Sequence, residues 1–286
     1  MLTSSFRPLA RPPSWPQKWL ITMHKDWVAP SGLSPLLLLV LLLSGSGAAH
    51  AFTYQPTRLE YYLMPPYCQA RMSDFYMNRR GAWRIHLPIN EDEIDRWKST
   101  IGYDWANLHH YCFGTVLLSK TQMPGKRDKR SFYYKQAVQE IDYTRSRSKV
   151  GAPLWDKMTV DYARALEGTG NVQQALAELA TLLQRSPEHT PTRQAMAQTL
   201  ERQGELPKAI KVLEEGLPSA SEKGPLLFYL ARYYYESGDL LRARQTLELA
   251  EQSGMKMDSL REDLGLPPHS ANGADASGER MSAADE

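Results

Sequence analysis

Cys68 and Cys112 are the chain's two cysteines, and histidines lie close to them in sequence: His109 and His110 just before Cys112, and His86 between the two thiols. On a helix, His109 and Cys112 are one turn apart and share a face, which is the beginning of a zinc-type ligand set. Two features oppose a metal. The dense paired spacing of a zinc finger or ribbon is missing, and neighbouring histidines on a helix are expected to point to opposite sides. In an oxidising compartment the thiols are instead expected to join, a bridge over a 44-residue separation being worth about 4 kcal/mol on a chain-entropy argument. Two buried thiols are the third reading. There is no Cys-x-x-Cys, so neither a thioredoxin-like dithiol nor covalent haem attachment is supported.

Other chemistry finds no foothold. The chain has no glycine-rich phosphate loop, no Gly-x-Ser-x-Gly elbow and no His-Glu-x-x-His. The acids of "NEDEID", from Asn90 to Asp95, need no catalytic role. Asn90 is a natural helix cap, and carboxylates in a first turn are favoured by the helix dipole. The chain is expected not to be an enzyme, and no cofactor is implied.

The compartment follows from the first fifty residues. An unbroken apolar run, Leu36 to Leu43, leads into the small-residue stretch ending Ala49-His50-Ala51. The run is far short of the roughly 20 residues a spanning helix needs, and small side chains before a scissile bond suit signal peptidase. Residues 1–51 therefore read as a cleaved signal peptide, with Met23 as the true start and Phe52 as the first mature residue, and the destination as periplasmic or secreted; an uncleaved N-terminal anchor is the alternative. Removing four Lys/Arg and one Asp from totals of 34 and 32 leaves 30 basic and 31 acidic residues. A near-neutral mature chain lacks the positive field of a nucleic-acid protein. The basic cluster Lys126 to Arg130 reads as a solvated loop.

These residues must be held by something, and the scaffold announces itself as a period. Gly170, Gly204 and Gly238 are 34 residues apart; so are Ala163, Ala197 and Ala231, and so are Ala175, Ala209 and Ala243. Leu166, Leu200 and Tyr234, with Leu179, Leu213 and Leu247, follow the same interval. Each unit is expected to be two antiparallel helices that turn at the glycine, where a side chain would be disfavoured. The alanines let the helix axes approach, and one unit cannot bury its apolar face alone, so units stack. Pro218 and Ser221 predict an early end to the second unit's second helix, and the third unit is expected to run out at Gly254.

This pattern resembles the tetratricopeptide repeat (TPR) family over about 156–257, without the family's first-helix tryptophan. The resemblance implies an all-α, right-handed helical-repeat solenoid. Residues 105–149 read as a degenerate helix pair with an inserted loop, with Gly114 and Ala137 in the small-residue roles. Residues 52–104, rich in Tyr, Trp, Pro and Met, are expected to form a mostly irregular aromatic cap containing one short helix after Asn90. Residues 265–286 read as a disordered tail. The resemblance also implies a concave groove for an extended or helical segment of a protein partner. Carried over position by position, its wall is Val160, Arg164, Glu167, Gln194, Gln198, Glu201, Phe228, Arg232 and Tyr235, with Arg164, Gln198 and Arg232 in one column. The expected function is a non-enzymatic scaffold or adaptor of the bacterial cell envelope. The alternative is a metal- or redox-responsive module built on Cys68, Cys112 and the nearby histidines. No nucleic acid, and no stable membrane span once the signal is removed, is expected.

Overall fold

The three glycines of the 34-residue period have φ of 89°, 75° and 82°, the left-handed region that L side chains disfavour. Each closes the same pair of backbone hydrogen bonds. Gly170 donates to the Glu167 carbonyl at 2.8 Å and Asn171 to Leu166 at 2.9 Å; Gly204 and Glu205, then Gly238 and Asp239, repeat the pattern. This is the helix stop in which two otherwise orphaned carbonyls are satisfied by the residues leaving the helix.

The structure, a computed structural model, describes residues 56–77 and 90–268. Among these residues it is all-helical, with no strand and no helix long and apolar enough to cross a membrane. The expected signal peptide (1–51), His86 and the tail beyond Pro268 lie outside the described residues. Three hairpins make up the repeat: α6 (Trp155–Gly168) with α7 (Val172–Arg185), α8 (Thr190–Arg202) with α9 (Leu206–Gly216), and α10 (Gly224–Glu236) with α11 (Leu240–Gln252). The early end after Gly216, ahead of Pro218, is where the proline pattern placed it.

Both alanine columns are at most 1% exposed, and Leu179, Leu213 and Leu247 likewise. These are the helix crossings, and nothing larger than a methyl fits between the axes. The first helices α6, α8 and α10 touch one another in sequence along one layer. The second helices are spaced further apart, so the first helices form the inner side of the curve.

The repeat does not stop at Gly254. A further short helix, α12 (Asp258–Asp263), begins 34 residues after α10, as α10 begins 34 after α8. Its Leu260 and Leu264 occupy the register of Leu226 and Leu230 and share their core. It is a first helix cut short at Gly265 (φ 66°), and it covers the apolar face that the last full unit would otherwise expose.

The N-terminal region corrects the expectation of irregular structure. Before α3 (Glu91–Ile101), which is capped as expected by the Asn90 side chain, there are two further helices, α1 (Arg58–Leu63) and α2 (Pro66–Met77). The first opens on a reciprocal cap: Thr57 Oγ1 accepts from the Glu60 amide at 3.3 Å, and the Thr57 amide donates to Glu60 Oε2 at 2.8 Å. The second opens with Pro66 at its first position, where a missing N–H costs nothing. A turn of 3-10 helix, Gly102–Ala106, then leads into the pair α4 (Leu108–Gln122) and α5 (Arg130–Arg145). The long insertion expected between them is mostly taken up by the helices, leaving residues 123–129 as the link. Gly114 permits close packing here: a Cβ added to it would lie 2.4 Å from Ile141 Cγ1.

Cys68 and Cys112 are bonded, with Cα atoms 5.5 Å apart, and both are fully buried. The bridge ties α2 to α4. One buried cluster runs continuously from Tyr61 through the α4–α5 pair to Ala195 on α8, so cap and first repeats share a core.

Candidate functional site

The inner layer carries an open groove of about 800 Å³ between α4, the start of α5, α6 and the C-terminal half of α8. Its other edge is the turn from α1 to α2, where Leu63, Met64 and Pro65 form an apolar lip beside Leu118 and Met123. Among the described residues, the turn from α1 to α2 thus builds one wall of the hollow.

The groove floor is organised by Asp161 on α6. Its side chain is only 7% exposed, a costly place for a carboxylate unless it is paired. Three donors meet it: Tyr111 Oη of α4 at 2.7 Å, Lys157 Nζ at 3.0 Å and Arg164 Nη1 at 3.3 Å. Lys157, Asp161 and Arg164 fall one turn apart on one face of α6, so the spacing alone brings them together. The two cations are 48% and 46% exposed. The negative charge is therefore sunk, and its partners present the remaining N–H donors to the groove.

Tyr111 is placed with similar care. α4 has no side-chain cap at its start, and the Tyr111 amide instead donates to Thr144 Oγ1 of α5 at 3.1 Å, while that hydroxyl donates to the Asn107 carbonyl at 2.9 Å. Burial, reinforced by the charge of Asp161, pushes the Tyr111 phenol well above its ordinary value, so it stays a donor. Tyr67 beside Cys68 is pushed up to about 12, again chiefly by burial.

A second carboxylate bridges units. Glu167 accepts from Thr199 Oγ1 at 3.0 Å and receives both Nε and Nη2 of Arg202, joining α6 to α8. Those hydrogen bonds raise the Arg202 pKa, and its guanidinium is 47% exposed. Across the groove, Lys120 Nζ lies 2.9 Å from Glu60 Oε1, linking α4 to α1.

The residues expected in the groove separate into three groups. Arg164, Glu167 and Gln198 line it, though Glu167 is engaged in holding α8 and is not a free acceptor. Val160 is a correction: at 3% exposure it belongs to the core, on the side of α6 that packs against its neighbours. Gln194 and Glu201 on α8, with Phe228, Arg232 and Tyr235 on α10, are partly buried and do not border the groove. Arg232 pairs with Glu236 at 3.0 Å and lies over the Tyr229 and Tyr233 rings. The carried-over list missed Lys157, Asp161, Arg202, Arg130, Tyr134 and the lip from Leu63 to Pro65. The first two were readable from their helical spacing with Arg164; the lip was not, because it comes from a separate part of the chain.

The cysteines and the described histidines each meet partners within the fold. Cys112 spends its sulfur on Cys68, and no group of three His, Cys, Asp or Glu with metal-binding geometry occurs among the described residues. The adjacent histidines do not diverge as expected. Their rings are 4.3 Å apart, with His109 stacked on Phe75 and His110 Nδ1 at 2.7 Å from Glu140 Oε2.

Compared with known families, residues 166–224 match the tetratricopeptide repeat, and a search of curated proteins finds no match to the chain. The matched stretch runs from the first glycine turn to the start of α10. The matched stretch is thus a tetratricopeptide-repeat segment, and the third glycine turn and both alanine columns extend the same geometry through α11.

Proposed function

We propose that the chain is a non-enzymatic adaptor that holds a segment of a partner protein in the groove between α4, α6 and α8. Stacked helix pairs generally serve as protein-binding surfaces, and the observation that carries the reading is the groove itself. It is open, apolar along the α1–α2 lip and lined opposite by half-exposed cations whose counter-charges are buried. Guanidinium and ammonium donors of this kind fix the course of a peptide backbone or carboxylate, and the lip supplies apolar contact.

The setting we propose is the bacterial cell envelope, periplasmic or secreted, after removal of residues 1–51. A fully buried disulfide in the cap suits an oxidising compartment, and intact-mass measurement of the exported protein should give a chain that begins at Phe52.

The test of the groove is selection of binding peptides from a displayed library by the purified chain, followed by titration against a variant carrying Arg164→Gln and Gln198→Ala. A selected peptide that binds the natural chain and loses tenfold or more on the variant, with the melting temperature unchanged, supports the reading. Peptides that bind both proteins equally place the binding surface elsewhere.

A further inference from the structure

We propose that the acidic C-terminal segment, residues 269–286, occupies the groove of its own chain and must be displaced by any partner. The proposal rests on the groove reading above and adds the identity of a resident competitor. Three observations converge on it: the accessible charge of the groove, the charge of the segment, and the place where the described chain ends.

The groove's accessible surface is cationic although its composition is nearly balanced. Asp161 and Glu167 have side chains 7% and 11% exposed, whereas Lys157, Arg164 and Arg202 are between 46% and 48% exposed. Arg130, at the mouth, is exposed as well. A ligand entering the groove therefore meets donors and positive charge, and carboxylates suit it. Residues 269–286 contain Asp275, Glu279, Asp285 and Glu286 against a single Arg280, interspersed with small Ala, Ser and Gly residues.

Geometry permits the contact. α12 continues the register of the inner helices, and its end is held on α11, where Arg244 Nη2 donates to the Leu264 carbonyl at 2.9 Å, so the segment beyond Pro268 reaches the groove only by running back along the layer. Neighbouring inner helices are roughly 8–10 Å apart, which puts α6 about 30 Å from α12 along the layer. An extended chain covers about 3.3–3.6 Å per residue. Glu279 therefore reaches roughly 37 Å beyond Pro268 and Asp285 roughly 57 Å, enough to lie along α8 and α6. Asp275 falls on the way, within reach of α10 and Arg232. A tethered ligand experiences an effective concentration on the order of 1 mM, so even a weak, mainly electrostatic contact is substantially occupied in cis.

The experiment uses a labelled synthetic peptide of residues 269–286, titrated by fluorescence anisotropy into the purified chain and into the same chain ending at Pro268. The shortened chain is expected to bind the peptide with a Kd of roughly 0.1–1 mM, weakening severalfold between 50 and 200 mM salt. The intact chain should bind it roughly two- to tenfold more weakly, because its own segment competes at an effective concentration on the order of 1 mM. Arg130→Ser with Arg164→Gln in the shortened chain should reduce binding at least fivefold; this pair leaves Asp161 its bonds to Tyr111 and Lys157, so the fold is retained. Lys208→Ala with Lys211→Ala, on the exposed face of α9, is the control and should change nothing.

Equal binding to intact and shortened chains, or no binding to the shortened chain, overturns the proposal. So does self-association that depends on residues 269–286, since the segment would then occupy a second copy. If the tail peptide fails while a library-selected peptide still loses affinity on the Arg164→Gln, Gln198→Ala variant, only the self-occupancy is wrong. If neither peptide responds to groove substitutions, the adaptor reading falls with it.

Discussion

Asp161 shows how one residue joins the cap to the repeats. Its carboxylate is the acceptor for a tyrosine of α4 and for two cations of its own helix. Asp161→Ala removes the acceptor but leaves the Tyr111 hydroxyl buried, and an orphaned buried donor costs about 1–3 kcal/mol. Tyr111→Phe leaves the carboxylate with two partners and should cost only about 1 kcal/mol. Urea unfolding of the single and double variants gives the coupling between them, and strict additivity would refute a direct bond. The buried phenols also set an alkaline limit. Tyr67 and Tyr233 are pushed from an ordinary 10.0 up to about 12, chiefly by burial. A folded-state pKa above the unfolded one gives stability that is complete below about pH 10 and is lost as pH rises towards 12. Denaturant titrations should therefore be flat from neutrality to pH 9 on this account and fall beyond pH 10, with Tyr67→Phe flattening part of the fall. Arg164 was legible as a groove residue because family position and exposure agree. Val160 was misplaced because a positional carry-over does not say which side of a helix its neighbours cover.

At the scale of the element, the repeat was readable because small residues recur where only small residues work. Two glycines separate the causes. Gly204 has φ of 75° and nothing within 4 Å of an added Cβ, whereas Gly168 would put a Cβ 2.2 Å from the Tyr134 ring. Gly204→Ala should cost about 1–2 kcal/mol, the penalty of a left-handed L residue, with no change in the groove. Gly168→Ala instead forces Tyr134 away from α6 and should alter peptide binding as well as stability. Chemical denaturation paired with the peptide titration distinguishes the two, and equal effects on binding would contradict this division. At the helix crossing, Ala209 is fully buried, and Ala209→Leu should cost about 1–3 kcal/mol by overpacking; a silent result would mean the crossing is looser than the columns imply. What escaped the period were α1, α2 and α12. The Thr57–Glu60 cap was present in the sequence, but α1 is too short for a helical period to emerge. α12 keeps the 34-residue register through Leu260 and Leu264, yet it ends before the column of alanines and glycines could reveal it.

The whole molecule puts its groove at a junction that no single stretch of sequence contains. The groove takes one wall from residues 60–65 and another from residues 157–168, and what keeps those walls in place is the shared core from Tyr61 to Ala195. The disulfide lies within that core, and each of its cysteines follows directly after a buried tyrosine, Tyr67 on α2 or Tyr111 on α4. Replacing both cysteines by serine releases the 44-residue separation, a loss of about 4 kcal/mol on the chain-entropy argument, and also buries two hydroxyls in place of sulfur. The cost should fall unevenly. α8 to α12 have a second core, built from Ala197 to Leu264, that the bridge does not touch. Hydrogen exchange of the double-serine variant is expected to show protection lost first across 58–145, with α10 and α11 retaining theirs, and with peptide affinity falling in step with the cap. Uniform loss across all helices would show that the repeats depend on the bridge as much as the cap does. Loss of cap protection with undiminished peptide affinity would remove the α1–α2 lip and Tyr111 from any part in forming the groove.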